Sequence, residues 1–429
     1  MMVAPVGKLP TELLVEIFAH AVHSSHSSLP PHLQAVRLSG VCSLWQRVVN
    51  NSPGLWAANR LEVSLNNDSA GYLDGLKMLL DRSSPLPIAV LLTLNDEPRF
   101  YSSDYVAYIF KLLAPTMMRW KDLEIDRAAL EHMTPGPFPA LECLELEYSI
   151  ASMGLFSRCS RLRRVTATTH KRDARVLQLP WAQLTHLSLR QRNPAMCREI
   201  LLQCTHLVSA TLTMCEWETV IETPSPTLLP FLATLEVAFL TNHRNSGHVG
   251  PLFAALALPA LHTLYLHFPT HDVGDPAAWP AVEFAAFLRR SPHITSLSLL
   301  QVQMLTPSTL IALLRLAPCL TKLSISASPN CLDNDFLQAL AWSLETDPAL
   351  YLMPRLEELR LDYAGNHLHA LAFVAAIRSR TDSPAVANLH LAPLRVVMVT
   401  NLRIPDPGAI MINDNLQDLV DRGLKLSVS

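Results

Sequence analysis

Four histidines near the start of the chain have the spacing of residues that could hold a metal ion. They are His20, His23, His26 and His32. Imidazole nitrogens are common zinc ligands, but a site needs further ligands such as carboxylates or thiolates. The connector HAVHSSHSSLPPHL around these histidines is rich in Ser and Pro and supplies no such partner. We therefore expect a solvated loop here and no metal site.

Asp333 and Asp335, in the segment CLDNDFLQAL, resemble the start of a calcium-binding loop. Such a loop also requires a glycine at its sharp turn and a terminal glutamate, and both are missing from this segment. The sequence favours Asp333 as the N-cap residue of a helix.

A run of basic side chains between Arg158 and Arg175 has the chemistry to bind an anionic partner. The run comprises Arg158, Arg161, Arg163, Arg164, Lys171, Arg172 and Arg175, and Arg190, Arg192 and Arg198 follow it. Guanidinium groups gathered on one side of adjacent elements would clamp an acidic or phosphorylated segment through paired hydrogen bonds. The competing interpretation, which a single charge run favours, is a solvated face offset by Glu142, Glu145 and Glu147.

No arrangement for catalysis is evident. The sequence contains no G-x-G-x-x-G, P-loop, H-E-x-x-H or G-x-S-x-G motif, and thirteen glycines in 429 residues leave little material for phosphate-binding loops. No nucleophile, base and orienting group occur together. We expect no catalytic residues and no cofactor.

The elements that must position these residues come from a phrase of the form L-x-x-L-x-L that recurs along most of the chain. Its clear copies begin at Leu141, Leu184, Leu232, Leu261, Ile294, Leu320 and Leu356, and weaker copies begin at Trp120, Leu162, Leu207 and Leu394. The alternation predicts a strand with one apolar face. Helical patterns lie between copies, as in AAFLRRSP before Ile294, LIALLRLAP before Leu320 and FVAAIRSR after Leu371.

One strand and one helix per period resemble the leucine-rich repeat over residues of about 120 to 400. The successive copies start 21 to 38 residues apart, so we expect irregular curvature and inserted loops. Pro139, Pro230, Pro259 and Pro318 stand just before the phrase, where we expect them to end a helix. Residues 61–119 should supply transitional strands, from LEVSL and LPIAVLLTL, and Leu424–Val428 a last strand.

The resemblance also implies that polar residues flanking the last leucine of each phrase lie on a concave face. These residues are Glu145, Glu147, Thr166, Thr168, Ser188, Arg190, Thr211, Thr213, Glu236, Tyr265, His267, Ser298, Arg360 and Asp362. Such a mixed lining suits a protein or peptide more than a small metabolite. Our candidate substrate-binding residues are Arg163, Arg164, Arg190, Tyr265, His267 and Arg360.

Two apolar segments open the chain. From LPTELLVEIF onward, a helix start at Pro10 is followed by one predicted helical stripe, which consists of Leu13, Leu14, Ile17, Phe18 and Ala21. A second stripe is formed by Val41, Cys42, Trp45, Val48 and Val49, and the sequence NNSP should end that helix. A unit of this size has a marginal core, so its stripes should find a partner surface.

The order LP, acidic residue, apolar helix, V-C-x-x-W and closing L-W is similar to the F-box, as in fungal-type F-box proteins. The resemblance covers residues 6 to 57 and implies an all-α, three-helix module that docks on a Skp-type adaptor. It places Leu9, Pro10, Leu13, Ile17, Val41, Cys42 and Trp45 at the adaptor-facing positions, and Leu55 and Trp56 in the closing turn.

The expected fold class is α/β, with this F-box followed by an irregular leucine-rich-repeat solenoid of alternating strands and helices. The expected domains are an F-box (1–60), a transitional segment (61–119) and the repeats (120–429).

The resemblance implies a non-catalytic substrate-recognition subunit of a Skp/cullin/F-box ubiquitin ligase, with an unidentified protein substrate. The alternative is a structural interaction scaffold with no ligase attached, in which Leu13 and Trp45 would be buried within the chain. An enzyme built on the repeats is disfavoured, and a small molecule that gates binding stays open.

The composition limits the other partners. The formal net charge of −3 gives no global attraction for nucleic acid, and no apolar run reaches the length of a membrane span. Eight cysteines without a C-x-x-C motif read as buried thiols of an intracellular protein. We expect no nucleic-acid or membrane binding and a location in the cytoplasm or nucleus.

Overall fold

The computed structural model describes most of the chain. The described residues are 9–23, 31–57, 60–65, 67, 69–94, 102–147, 154–168, 178–191, 194–214, 226–239, 250–268, 279–302, 304–328, 330–342, 351–363, 368–382, 391–401 and 408–428. They form two compact units, Met1–Pro180 and Trp181–Ser429. The predicted domain boundaries at residues 60 and 119 stay predictions.

The first unit begins with helices and continues with alternating strands and helices. Its elements are α1 (Thr11–His23), α2 (Pro31–Ser39), α3 (Ser43–Asn50), α4 (Gly54–Ala57), β1 (Leu61–Ser64), α5 (Ala70–Arg82), β2 (Ile88–Thr93), α6 (Ser103–Leu113), a 3₁₀ helix (Ala114–Arg119), β3 (Trp120–Ile125), α7 (Arg127–Glu131), β4 (Cys143–Glu147) and β5 (Arg164–Thr168).

The second unit has the same alternation. Its elements are a 3₁₀ helix (Trp181–Gln183), β6 (His186–Gln191), α8 (Pro194–Gln203), β7 (Ser209–Met214), β8 (Thr227–Leu228), β9 (Thr234–Phe239), α9 (Gly250–Ala255), β10 (Leu256–Ala257), β11 (Thr263–His267), α10 (Ala281–Arg290), β12 (Ser296–Leu300), α11 (Pro307–Leu314), β13 (Lys322–Ser326), α12 (Asn334–Leu340), β14 (Glu358–Asp362), α13 (Ala370–Thr381), β15 (Val396–Thr400), α14 (Gly408–Asp421) and β16 (Lys425–Val428).

The strands of each unit pair in parallel and in chain order. The order is β1-β2-β3-β4-β5 in the first unit and β6-β7-β9-β11-β12-β13-β14-β15-β16 in the second, where β8 and β10 pair separately. The register is continuous, so that Leu264 of β11 pairs with Leu297 of β12 and Leu297 pairs with Leu323 of β13. The protein is thus a mixed α/β fold in which a helical N-terminal region precedes parallel strands.

The strand prediction is confirmed for every copy of the repeated phrase, and so are the transitional and final strands. In the strands of the repeated phrase the apolar residues of the alternation are buried, as Leu187 and Leu189 in β6 illustrate. In the final strand β16, Leu426 and Val428 are only half-buried. The helices predicted before Ile294, before Leu320 and after Leu371 are α10, α11 and α13.

The prolines before the phrase occupy turns, and the prediction that they end helices is wrong. The first leucine of a phrase donates its N–H to the carbonyl three residues earlier, as Leu261 does to Leu258 at 3.1 Å and Leu320 to Ala317 at 3.2 Å. Pro259 and Pro318 take the second position of these turns, where their fixed φ is favourable. Helix α11 already ends at Leu314.

A repeated backbone arrangement joins each strand of the second unit to its neighbour. The carbonyl of His262 accepts the N–H groups of both Thr295 and Ser296 at 2.9 Å, and the pattern recurs at the start of the following strands. After the strands come residues with positive φ, among them Gln301 (59°) and Ala327 (48°). The N–H of Gln301 donates to the carbonyl of Ser326 at 2.8 Å. The positive φ therefore extends the hydrogen bonding between β12 and β13 by one residue beyond the end of β12.

Three arginines tie helix ends to the strand–helix segment that precedes them in the chain. The guanidinium of Arg119 donates to the carbonyls of Leu80 and Leu86, and that of Arg290 to those of Phe253 and Leu256. Arg380 is fully buried, and its guanidinium donates to the carbonyls of Leu352 and Met353. Its guanidinium carbon lies 4.1 Å from the Trp342 ring centroid.

Arg380→Ala should reduce the free energy of unfolding by about 3–5 kcal/mol, because two buried carbonyls would lose their charged donor and a cavity would form. The matched control is Arg378→Ala on the same helix, whose guanidinium makes an exposed ion pair with Asp418 at 2.7 Å. Loss of that pair should cost less than about 1 kcal/mol. Urea denaturation followed by circular dichroism measures both values, and equal losses would contradict the anchoring role.

Candidate functional site

Helix α1 has two apolar faces with different environments. Leu14, Phe18 and Val22 are buried at a spacing of four residues. Leu13 and Ile17 are 45% and 50% exposed. The prediction of a single buried stripe is therefore wrong. Adjacent residues of a helix are separated by about 100° around its axis, so Leu13 and Ile17 lie on a different face from Leu14 and Phe18.

The buried face of α1 belongs to a closed core. The core consists of Leu14, Phe18, Val22, Ala35, Val48, Val49, Leu55 and Trp56, with Met78 and Leu79 of α5 packed against it. The indole Nε1 of Trp56 donates to the carbonyl of Val49 at 2.8 Å, and the guanidinium of Arg82 lies 4.6 Å from the Trp56 ring centroid. This core is complete without Leu13 and Ile17.

The remaining candidate docking residues flank the helices. Leu9 and Pro10 are exposed just before α1. Val41 is 60% exposed and Cys42 is exposed as well. Both lie in the bend between α2 and α3, and Cys42 is the N-cap residue of α3. Helix α3 ends at Asn50, as the NNSP sequence predicts.

Trp45 differs from the other candidates because it is half-buried. Its ring packs against that of Phe18 with centroids 4.7 Å apart. Trp45 therefore supports the core and exposes only part of its ring. The scaffold alternative predicts that Leu13 is buried within the chain, but Leu13 is exposed.

Two exposed apolar residues on α2 escaped the sequence reasoning. Leu33 is 42% and Val36 39% exposed. Helix α2 itself begins at Pro31, inside the segment that we expected to be a loop. The available signal was the i, i+3 spacing of Leu33 and Val36 after a proline, which is typical of a helix start with one apolar face.

We use the term exposed apolar set for Leu9, Leu13, Ile17, Leu33, Val36 and Val41, each more than a third exposed. Isolated exposed apolar side chains are ordinary, but several on one small domain with a complete core are typical of a binding surface.

In the first unit, Arg163 and Arg164 are not equivalent. Arg164 Nε lies 2.9 Å from the Cys143 sulfur on the adjacent strand, beside Asp122. Burial, together with Asp122, raises the pKa of the Cys143 thiol to about 11. Arg163 precedes the strand and donates to the carbonyl of Leu162 at 3.1 Å. The two guanidinium groups thus have different hydrogen-bond partners. Residues 169–177 of the basic run lie outside the described residues.

In the second unit, the other four candidates stand on one face of the sheet. Tyr265 lies in register between Glu236 and Ser298, and burial followed by the Glu236 charge raises the pKa of its phenol. The rings of Tyr265 and His267 have centroids 6.5 Å apart, and His267 Nε2 lies 3.0 Å from Gln301 Oε1.

Arg190 and Arg360 stand apart from that pair. In the strand order, β6 precedes β11 by three places and β14 follows it by three, which corresponds to about 14 Å in each direction. Arg360 forms an ion pair with Glu358 on its own strand. The predicted substrate residues thus mark several places on a long polar face.

Metal and membrane hypotheses find no support in what is described. Within the described ranges, no group of three or more His, Cys, Asp or Glu side chains is placed to hold a metal ion. Asp333 Oδ1 accepts the N–H of Phe336 at 2.9 Å, which confirms its N-cap role. His26, and the side chains of His23 and His32, lie outside the described residues. No helix in the described part of the chain is long and apolar enough to cross a membrane.

The comparison with known protein families finds a match that includes helices α1 to α4. Residues 6–61 match the family model described as F-box-like, which confirms the F-box resemblance. The helical region that opens the first unit is thus an F-box-like domain. F-box domains generally bind a Skp-type adaptor and are typically non-catalytic parts of ubiquitin ligases. No curated protein matches the chain.

The prediction of buried thiols is wrong for Cys42, which is exposed, and Cys143 and Cys319 are only half-buried. Cys215 lies outside the described residues. Cys159, Cys197, Cys204 and Cys331 are buried, and burial raises the pKa of the Cys159 thiol to about 11 and of the other three to about 12.

Iodoacetamide at neutral pH should therefore alkylate Cys42 much faster than these four, since thiolate and access are both required. Tryptic cleavage after Arg37 and Arg47 isolates Cys42 in its own peptide, which mass spectrometry can follow. Equal rates in folded protein would contradict the assigned exposure, and unfolded protein in guanidinium provides the control.

Proposed function

We propose that the protein is the substrate-recognition subunit of a Skp/cullin/F-box ubiquitin ligase. The observation that carries the proposal is the exposed apolar set on an F-box-like domain whose own core is closed. Leu13 and Ile17 stay 45% and 50% exposed in the folded domain, so the transfer of this remaining surface from water is available to a partner. The predicted docking residues Leu9, Pro10, Leu13, Ile17, Val41, Cys42 and Trp45 stay our candidates, and we add Leu33 and Val36.

We further propose that the strands and helices after the F-box form a leucine-rich-repeat solenoid that binds the protein substrate. Supporting this assignment are the parallel in-register strands, the buried leucines of each phrase and the turn before each strand. The polar side chains on the other face of the strands, such as Tyr265, His267 and Arg360, would contact the target.

The mechanism in this proposal is proximity. The adaptor links the F-box to the cullin and the ubiquitin-carrying enzyme, while the repeats hold the target. Tethering raises the effective concentration of the target's lysines near that enzyme, and the protein itself performs no covalent step. This role places the protein in the cytoplasm or nucleus and calls for neither nucleic acid, membrane nor cofactor.

The Leu13→Asp/Ile17→Asp variant should bind a purified Skp-type adaptor at least about 100-fold more weakly than the wild type, because buried apolar anchors would become desolvated charges. Calorimetric titration measures the change. The matched control is Tyr108→Asp, a change at an exposed residue of α6 outside the F-box-like domain. It should leave binding unchanged.

The thermal midpoint of the double variant should stay near the wild-type value, because neither residue belongs to the core. Failure of the wild type to bind would favour the alternative, an interaction scaffold with no ligase attached. Binding retained by the folded double variant would move the docking surface elsewhere.

Adaptor binding should protect Cys42 from iodoacetamide, because Cys42 lies beside Val41 in the exposed bend. The expected result is at least about a tenfold slower alkylation of the peptide Leu38–Arg47 at saturating adaptor, as burial at an interface removes access to the thiol. Cys319, half-buried in the second unit, serves as the internal reference. An unchanged rate at Cys42 would place this bend outside the interface.

A further inference from the structure

A cavity lies on the polar face of strands β2 to β5 in the first unit. Its volume is about 380 Å³, within the range of about 300–1,000 Å³ that is typical of small-ligand pockets. Its charged lining consists of Arg60, Asp122, Glu124, Glu145 and Arg164. Three carboxylates and two guanidinium groups give this lining a formal charge of −1. Only Glu145 and Arg164 were singled out from the sequence.

The strand register brings these residues together in two rows. The first row consists of Ala89, Asp122, Cys143 and Arg164. The second row, two residues further along the strands, consists of Glu124, Glu145 and Thr166. Residues two apart on a strand point to the same face, so both rows line the cavity. The short side chains of Ala89 and Cys143 leave space between the longer ones.

The charges of the lining are balanced unevenly. Arg60 forms an ion pair with Glu124. Arg164 lies with its Nε 2.9 Å from the sulfur of Cys143, which in turn bonds to Asp122. Glu145 has neither an ion pair nor a hydrogen bond with any residue that the structure describes. The uncompensated negative charge is therefore at Glu145.

Glu145 also lies directly beside a second carboxylate, because it pairs in register with Glu124 on the adjacent strand. Like charges at paired strand positions are destabilising. Asp122, in the neighbouring row, has a buried Oδ1 atom without a hydrogen-bond partner among the described residues. A cation that enters the cavity at this point would therefore be stabilised by three carboxylates.

The opposite wall of the cavity, on β5, offers hydrogen-bond donors. Arg164 is engaged only through Nε, and its terminal nitrogens bond to none of the described residues. The hydroxyl of Thr166 likewise has no partner within the described part of the chain. Thr166 pairs in register with Glu145, so these donors lie one strand spacing, about 4.8 Å, from the unpaired carboxylate.

We infer that this cavity binds a free basic α-amino acid, of which lysine is the simplest. The α-carboxylate would accept hydrogen bonds from the Arg164 terminal nitrogens and the Thr166 hydroxyl. The α-ammonium would donate to Glu145. The side-chain ammonium would reach Glu124 on the next strand, a distance that the four-carbon stem of lysine spans. This binding role goes beyond the proposed ligase function and does not depend on it.

The charge of the lining selects among the possible small ligands. A basic amino acid carries a net charge of about +1 at neutral pH and so neutralises the lining. A neutral amino acid would leave one carboxylate uncompensated, and an acidic one would add a further negative charge beside Glu124 and Glu145. A metal ion is a poorer candidate, because no group of three or more potential ligand side chains within the described ranges is placed to hold one.

Calorimetric titration of the full-length protein with free lysine tests the inference. Three analogues each lack one of the recognised groups: cadaverine lacks the α-carboxylate, 6-aminohexanoate the α-ammonium and norleucine the side-chain ammonium. Lysine should bind at least about tenfold more tightly than each analogue, because every deletion removes a charge-assisted contact.

Two variants connect the binding to this cavity. Arg164→Gln should weaken lysine binding at least about tenfold and leave cadaverine binding unchanged, because only lysine has the carboxylate that Arg164 recognises. Glu145→Gln should weaken both ligands. The matched controls are Arg161→Gln and Glu62→Gln, changes at exposed residues that do not line the cavity. All four variants should keep the wild-type thermal midpoint, since the altered side chains are on the surface.

Each outcome decides for or against the site. Lysine binding that Arg164→Gln and Glu145→Gln weaken and the two controls keep would support it. Absence of saturable lysine binding, or unchanged binding in Arg164→Gln, would overturn it. Cadaverine binding as tight as that of lysine would also overturn it and would assign the cavity to an alkylammonium group alone. Adaptor binding, measured on the same protein, reports separately on the proposed ligase role.

Discussion

The in-register parallel pairing of the strands is the constraint on which both the core and the exposed face of the two units depend. The apolar face of a strand is buried only when the neighbouring strands place their leucines at the paired positions. The pairs Leu264–Leu297 and Leu297–Leu323 meet this requirement. The same pairing necessarily aligns the intervening polar residues into rows, so one constraint creates the core and the candidate binding face together.

Contacts outside the strands keep this register. The carbonyl of His262 receives two N–H groups from the next strand, and the residue after each of several strands adopts positive φ to extend the pairing. Arg290 and Arg380 bind carbonyls of the segments before them. Because these contacts use backbone groups, they tolerate wide variation in side chains and in loop length. Copies of the repeated phrase that start 21 to 38 residues apart can therefore share the same strand pairing.

The F-box-like domain follows a different principle. Its few helices close a core around Phe18 and Trp56. Leu13 and Ile17 are left on the surface, next to residues that are fully buried. Exposure of apolar side chains is unfavourable in an isolated domain, and this exposure is the basis of the docking surface that we propose. Trp45 lies at the boundary, and its ring serves the core and the surface at once.

The sequence by itself determined the strands of the repeated phrase, helices α10, α11 and α13 between them, the F-box-like region and the N-cap at Asp333, because each depends on local periodicity or on an ordered motif. It did not determine which apolar residues of α1 are buried, since Leu13 and Leu14 have the same chemistry and differ only in the neighbours that other helices supply. Likewise, Ser324 and Lys322 line one cavity with residues of β12 and β14 only because the strands pair in register. Contacts between residues distant in the chain decide burial and proximity, and the tertiary structure alone contains them.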